Sequence, residues 1–239
     1  MLPTTKLLGV TLDRGATFRH HVAEVNARAR SRLNVLKALT ATTFGHTKES
    51  ITALYKQFVR PVLSYASLAQ SHMEVLQRTQ NAALRIATGC VRSTPTAHLH
   101  AETLVLPIRD HLDMRGAQTI ESAKCPDHPL HQIHLPPTGR RRQIHTTPGH
   151  YYGALCASIP PPPPRRSPGS WLHQHFVLRS LESAPPNSLL HEVPPTISTD
   201  ERSLPRADRV HLSRLRCGHH PSLLSYECRV RPDTDPACR

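Results

Sequence analysis

Residues 17–39, TFRHHVAEVNARARSRLNVLKAL, decide the fold of this chain. Apolar side chains recur here every three or four residues, the spacing that places them on one face of an α-helix. The stripe continues for about six turns, and Thr17 is the predicted N-cap. Its members are Phe18, Val22, Val25, Ala29, Leu33, Leu36 and Leu39. A helix of this length with one apolar face is expected to pack against other helices.

Three more segments follow the same helical period. Residues 48–68 are predicted as a helix that Pro61 kinks or restarts, because proline cannot donate a helical N–H. Residues 72–88 form the next helix, and Gly89 is its predicted C-terminal stop. A fourth helix is predicted over 108–123. Short connections between amphipathic helices predict an antiparallel bundle.

The two ends of the chain differ from this helical middle. The run KLLGVTLD at 6–13 predicts one short strand without a clear partner nearby. After Lys124 the periodicity is lost, and residues 125–170, rich in Pro, His and Arg, are predicted to be disordered with polyproline II stretches. Short helices are predicted at 171–182 and 205–217.

These segments together predict a mainly α protein in four parts. They are a strand remnant at 1–16, a helical domain at 17–124, a Pro-rich and mostly disordered linker at 125–204, and a C-terminal segment at 205–239.

The chain is strongly basic, with 30 Lys and Arg against 17 Asp and Glu, a formal charge of +13. This excess indicates a polyanionic partner, with nucleic acid ahead of an anionic membrane surface. Genomic base composition is the alternative explanation for the abundance of Arg and His. No stretch approaches the ~18 apolar residues that span a bilayer. The start, MLPTTKLLGV, lacks the features of a signal peptide. We therefore expect a protein of the nucleus or cytoplasm that is not secreted and has no membrane partner.

Several stretches resemble one family when they are taken in order. KLLGVTLDRGATFRHHV (6–22), LYKQFVRPVLSYAS (54–67), LQRTQNAALRIATG (76–89) and TPTAHLHAETLVLPI (94–108) follow the order seen in reverse transcriptases of non-LTR (LINE-type) retrotransposons. The end of the chain (209–239) is similar to that family's C-terminal segment. The resemblance implies the end of the catalytic palm, a helical thumb, and part of the C-terminal segment.

The chain departs from the family at the catalytic centre. The family holds two Mg²⁺ ions with palm aspartates, including an Asp-Asp pair, because two-metal phosphoryl transfer needs clustered carboxylates. This sequence has no Asp-Asp pair, and its first carboxylate is Asp13. The resemblance therefore implies a piece that begins after the palm motif, is not an enzyme by itself and needs no cofactor for catalysis.

A nucleic-acid interface is predicted from the polar sides of these helices. The helix at 76–89 carries amide and guanidinium groups opposite its apolar side, with no carboxylate among them. Such donors suit phosphate oxygens and 2′-hydroxyls, so we expect sequence-independent contact with RNA or an RNA–DNA hybrid. A solvated helix surface is the alternative. The candidate binding residues are Arg28, Arg30, Arg32, Lys37, Lys56, Arg60, Arg78, Gln80, Asn81 and Arg85.

Two weaker motifs lie in the C-terminal half. Cys217, His219, Cys228 and Cys238 supply ligand types that zinc prefers, although their spacing is not that of a standard finger. Free thiols are the alternative, and without a secretory signal we do not expect disulfides. The run PPPPPRR at 160–166 matches a ligand of SH3-type grooves. Two other functions stay open: a helical protein-binding module with Pro-rich tails, and a translated relic without function.

Overall fold

The structure is a computed structural model that describes residues 4–15, 17–65, 72–131, 154–159, 168–182 and 198–223. The described chain is mainly helical, as predicted, and divides into two compact units. The first unit combines residues 1–108 with 180–239, and the second comprises residues 109–179. The described residues 205–223 fall in the same unit as the N-terminal helices, and the division into four parts stays a prediction.

The N-terminal run is a hairpin and not the single strand that was predicted. Strands β1 (Thr4–Leu7) and β2 (Val10–Asp13) pair antiparallel, with Leu7 opposite Val10. The two turn residues, Leu8 and Gly9, have φ angles of 47° and 81°. A two-residue hairpin turn of the I′ type needs positive φ at both positions. The sequence has Leu-Gly at these positions and not the Asn-Gly or Asp-Gly that is typical of such turns. Because leucine rarely adopts a positive φ, the turn was not predicted.

A buried histidine holds this hairpin against the first helix, α1 (Arg19–Leu39). The Nδ1 atom of His21 accepts a hydrogen bond from the backbone N–H of Thr11 at 3.3 Å. Its Nε2 atom lies 3.2 Å from the carbonyl oxygen of Tyr65, so Nε2 carries the proton and donates. The apolar stripe predicted for α1 is confirmed from Val22 to Leu36. Its cap differs, because Phe18 occupies the N-cap position with φ 56° and no side-chain bond.

The second predicted helix is interrupted just before Pro61. It consists of α2 (Lys48–Leu54), a π-helical turn (Tyr55–Val59) and α3 (Arg60–Ser64). A π turn widens the helix, and Pro61 then sits at the start of α3, where its missing N–H costs least. The restart that the sequence predicted is confirmed. The inward side chains of Ile51, Tyr55, Val59 and Leu63 are at most 1% exposed.

The central element of the first unit is α4 (Met73–Thr88), which contacts α1, α2 and two elements that come later in the chain. Gly89 ends α4 in the left-handed conformation, as predicted. The next helix, α5 (Thr96–Thr103), was not predicted from the sequence, and it also packs on α4. The antiparallel arrangement of the helices stays a prediction.

Two helical elements of the second unit pack on each other. They are α6 (Ile108–Ala123), which begins at the end of the first unit, and α7 (Pro168–Glu182), which continues into the first unit at Ser180. The amide of Gln118 donates to the carbonyl of Gly169 at 3.0 Å. The apolar side chains of this unit that are buried are Met114, Ala117, Ala123, Ile159, Leu172 and Phe176.

The C-terminal part of the first unit contains α8 (Thr199–Ser203) and α9 (Arg206–Arg216). Pro205 precedes α9 at its N-cap, in line with the predicted start. Helix α9 lies against the end of α4, where Val210 is 2% exposed. Among the residues described, no helix is long and apolar enough to cross a membrane. The run PPPPPRR and most of the predicted disordered stretch lie outside the described residues.

Candidate nucleic-acid interface

Three cations line one face of α1. Arg19, Arg30 and Lys37 are all exposed. They are separated by 11 and 7 residues, close to three and two full turns, so they project from one side at intervals of about 16 and 10 Å along the axis. None of the three has an ion-pair partner among the described residues. We call these three side chains the α1 basic face. Arg30 and Lys37 were predicted from the sequence as binding residues, and Arg19 was not.

The other predicted arginines of α1 are partly engaged within the protein. Arg28 is exposed and lies 3.9 Å from the carboxylate of Glu24, one turn earlier. Arg32 is half-buried, and its Nη1 atom donates to the carbonyl of Phe58 at 2.5 Å. Its guanidinium carbon also lies 4.6 Å from the centroid of the Phe58 ring. Arg32 therefore ties α1 to the π turn through its Nη1 atom and the face of its guanidinium group.

Lys56 and Arg60 form a second basic location near the π turn. Both residues are half-buried. Burial lowers the pKa of Lys56, and the neighbouring charge of Arg60 lowers it further. Like charges four residues apart repel each other, so an anion placed between them would be stabilised.

The polar side of α4 is mostly internal, which corrects the expectation that it faces a ligand. Gln80 is 0% exposed, and its amide donates to the carbonyl of Leu106 at 2.8 Å. Asn81 is 7% exposed and accepts a hydrogen bond of 2.8 Å from Gln77. The other amide atom of Gln77 accepts from the backbone N–H of Ile108 at 2.9 Å. Gln77 and Gln80 thus hold the connection between α5 and α6, and the side chains of Gln80 and Asn81 are buried.

A buried histidine completes this internal set. The Nδ1 atom of His100 lies 2.6 Å from the carbonyl of Val105, and its Nε2 atom lies 3.0 Å from the Gln77 amide nitrogen. Nδ1 therefore donates and Nε2 accepts, which fits a neutral ring. Burial lowers the pKa of His100, which also favours the neutral ring. This role of His100 depends on α5, a helix that was not predicted from the sequence.

The two predicted arginines of α4 are held by neighbours. Arg78 is exposed and pairs with Glu74 at 3.4 Å across one turn, a contact open to solvent. Arg85 donates to the carbonyl of Thr94 at 3.2 Å, and its Nε atom is buried. Arg78 is thus the more exposed of the two, and Arg85 is half-buried with one of its nitrogens engaged inside the unit.

Arginines of the C-terminal segment are used to attach it to the first unit. Arg209 pairs with Glu49 of α2, and the Nε atom of Arg214 donates to the carbonyl of Gly89 at 3.0 Å. Arg206 donates to the carbonyls of Ala41 and Ile86 at 3.3 and 3.1 Å. Part of the positive charge of the chain is therefore used in contacts within the first unit.

A buried ion network lies at the same contact. Glu102 of α5 accepts from Lys48 at 2.7 Å and from the hydroxyl of Ser213 at 2.8 Å. Arg216 lies 3.5 Å from the same carboxylate and binds both carboxylate oxygens of Glu201, at 2.8 and 2.6 Å. This pairing lowers the pKa of Glu201. We call Lys48, Glu102, Glu201, Ser213 and Arg216 the buried ion network.

The predicted metal ligands are only partly described. Cys217 is 2% exposed, and its Sγ atom lies 3.9 Å from that of Cys90. His219 is 1% exposed, with Nδ1 2.9 Å from the carbonyl of Cys217. Within the described ranges no three His, Cys, Asp or Glu side chains are grouped as a metal site. Cys228 and Cys238 fall outside those ranges, so zinc binding stays a prediction.

Comparisons with known proteins give one informative relationship. No family model matches the chain, and no solved structure matches it. The chain is 26% identical over 118 residues to the Probable RNA-directed DNA polymerase from transposon X-element of Drosophila melanogaster. The match covers 47% of this chain and 13% of that relative, so the chain spans a small share of the relative's length. The chain is thus a distant, partial relative of a transposon RNA-directed DNA polymerase, the enzyme class also called reverse transcriptase.

Proposed function

We propose that the chain is a fragment derived from a non-LTR retrotransposon reverse transcriptase, corresponding to its thumb and C-terminal segment. It binds RNA or an RNA–DNA hybrid through the sugar-phosphate backbone, without sequence preference, and does not polymerise by itself. The similarity to a transposon RNA-directed DNA polymerase supports the origin. A place of action in the nucleus or cytoplasm is part of the same proposal.

The α1 basic face is the observation that carries the binding proposal. Its three long side chains are exposed and have no acidic partner among the described residues. Carboxylates elsewhere in the first unit, such as Glu49 and Glu102, are already paired with other cations. Exposed guanidinium and ammonium groups in a row can each replace a counterion of the phosphate backbone.

Lys56 and Arg60 supply a second contact in this proposal. Partial burial, followed by repulsion from Arg60, lowers the pKa of Lys56 and so disfavours its charged form. A phosphate would offset that repulsion, and its negative charge would raise the pKa of Lys56 again. Gln80, Asn81 and Arg85 are no longer included, because their side chains are engaged inside the unit.

Removing the α1 basic face should weaken binding in a salt-dependent way. We expect Arg30→Ala/Lys37→Ala to reduce the salt slope, log affinity against log salt concentration, by about 2, since each lost phosphate contact removes about one unit. Fluorescence anisotropy with a labelled RNA–DNA hybrid, titrated at several salt concentrations, measures both affinity and slope.

The matched control is Lys6→Ala/Lys124→Ala, which removes the same net charge. These two side chains are exposed but paired with Glu24 and Glu121, so we expect a smaller loss. Equal losses in both variants, or salt-independent binding by the unaltered chain, contradict the proposal. An oligomer without affinity for nucleic acid would favour the protein-binding alternative.

The purified chain should show no templated nucleotide incorporation. The reason is chemical, since its sequence has no adjacent Asp pair to hold two divalent ions near a primer end. Primer extension on a defined RNA template with Mg²⁺ is the measurement, and an active reverse transcriptase on the same template is the control. Incorporation that depends on both template and Mg²⁺ would overturn this part of the proposal.

A further inference from the structure

Two buried thiols from distant parts of the chain meet where α9 packs on α4. Cys90 follows the glycine that ends α4, and Cys217 caps the C-terminal end of α9. They are 127 residues apart in sequence and 7% and 2% exposed. Their Sγ atoms are 3.9 Å apart, with the Cys90 thiol donating to the Cys217 sulfur. No sequence motif links them.

The surrounding backbone allows the thiols to come closer. A disulfide has an S–S distance of about 2.05 Å, so the pair must close by about 2 Å. Cys90 lies in a non-helical connection after Gly89, and Cys217 precedes Gly218. A Cβ added to Gly218 would meet no atom within 4 Å, which leaves that turn room to move. The closure of about 2 Å is therefore expected to come from side-chain rotation and from adjustment of these two connections.

We propose that Cys90 and Cys217 are a redox-sensitive pair whose oxidation to a disulfide fastens the C-terminal helix α9 to the end of α4. The inference does not depend on nucleic-acid binding. It differs from the expectation from the sequence, which treated the cysteines as free thiols or metal ligands. Cys125 and Cys156, the other described cysteines, have no such neighbour within the described residues.

The oxidant in this proposal is a low-molecular-weight disulfide such as oxidised glutathione. The Cys90 thiolate attacks one sulfur of that disulfide, whose S–S bond breaks and releases one glutathione thiolate. Cys217 then loses its proton and attacks the Cys90 sulfur, which forms the protein disulfide and releases the second glutathione. Two cysteine thiols are oxidised, and one glutathione disulfide is reduced to two thiols. Because both sulfurs are buried, the first attack requires a local opening at the end of α9.

The crosslink would restrict the unfolded chain strongly, because it closes a very long loop. We expect the melting temperature to rise by about 10 °C on oxidation and to return on reduction. The α9 contact would then resist opening, since the covalent bond adds to the buried ion network. Oxidation therefore holds α9 covalently against the end of α4.

The test uses the full chain with Cys125, Cys156, Cys228 and Cys238 replaced by serine, so that only the pair remains. The folded protein is incubated with oxidised glutathione, and free thiols, released glutathione and melting temperature are measured. Trypsin digestion without reductant should link residues 86–92 to residues 217–229. The single variants Cys90→Ser and Cys217→Ser in the same background are controls without a possible crosslink. Peptide mapping of the unaltered chain covers the case in which the four-serine variant does not fold.

The expected result is loss of both thiols, two glutathione molecules released per chain, the linked peptides, and a stabilised protein. The link should form far less in 8 M urea, where the folded contact is absent. Thiols that stay free, adducts that stop at glutathione on one cysteine, or equal crosslinking in urea would each overturn the proposal. So would one equivalent of zinc retained by this variant after washing with a chelator, because the pair would then be a metal site.

Discussion

Glu102→Ala should reduce the free energy of unfolding by about 3–5 kcal/mol. The side chain of Glu102 is 3% exposed and that of Lys48 is 7% exposed. Removing the carboxylate leaves the buried ammonium group of Lys48 with only the more distant Glu49 at 4.0 Å, and it also removes the acceptor of Ser213. An unpaired buried charge costs far more than the loss of a surface contact. Urea unfolding followed by circular dichroism measures the change.

Arg78→Ala is the control for this prediction. It breaks a pair of similar chemistry, but the side chains of Arg78 and Glu74 are 74% and 85% exposed. Exposed pairs of this kind contribute about 0–1 kcal/mol. The double variant Lys48→Met/Glu102→Leu should recover part of the loss, because it replaces both charges by apolar groups. A loss below about 1 kcal/mol for Glu102→Ala would mean that the buried ion network does not form in solution.

Gly89→Ala should reduce the free energy of unfolding by about 2–4 kcal/mol, and most of that loss should come from α9. Gly89 has φ +70°, and an added Cβ would lie 2.6 Å from Cγ2 of Val210. The left-handed conformation costs an L-residue about 1 kcal/mol. The remainder is overpacking, since either the α4 end or α9 must move. Thermal and urea unfolding of the variant give the value.

Gly218→Ala separates the two terms of this loss. Gly218 also has a left-handed φ, +66°, but an added Cβ meets nothing within 4 Å. This variant should therefore lose only about 1 kcal/mol. Val210→Ala in the Gly89→Ala background tests the clash directly, because shortening Val210 should restore part of the lost stability. Equal losses for the two glycines would show that α9 does not pack closely on the end of α4.

These predictions depend on a contact that joins the two ends of the first unit. Four arginines of α9 bind groups of the neighbouring elements. Arg206 and Arg214 donate to backbone carbonyls, and Arg209 and Arg216 pair with carboxylates. The formal charge of +13 is thus a poor measure of the charge available to a partner. The α1 basic face is the part of that excess which the binding proposal uses.

Local sequence was enough to predict most helices of the described chain. The helical period of apolar residues is a property of neighbours a few positions apart, so α1, α4 and α6 could be recognised without any tertiary information. Gly89 and Pro205 marked a helix end and a helix start through backbone preferences that are equally local. The hairpin was not predicted because Leu8 adopts a positive φ, which leucine rarely does.

The sequence by itself determined where the chain is helical and which side of each helix is apolar, because both depend on short-range backbone and side-chain chemistry. Only the tertiary structure decided whether the polar side chains of each helix are buried or exposed. Gln80 is buried and donates to the carbonyl of Leu106, and Asn81 is buried and accepts from Gln77 of its own helix, while Arg30 and Lys37 stayed exposed. A periodic pattern cannot distinguish these outcomes, since it shows which residues share a face and not what covers that face. The pairing of Lys48 with Glu102, and of Cys90 with Cys217, likewise arises only when distant segments are packed together.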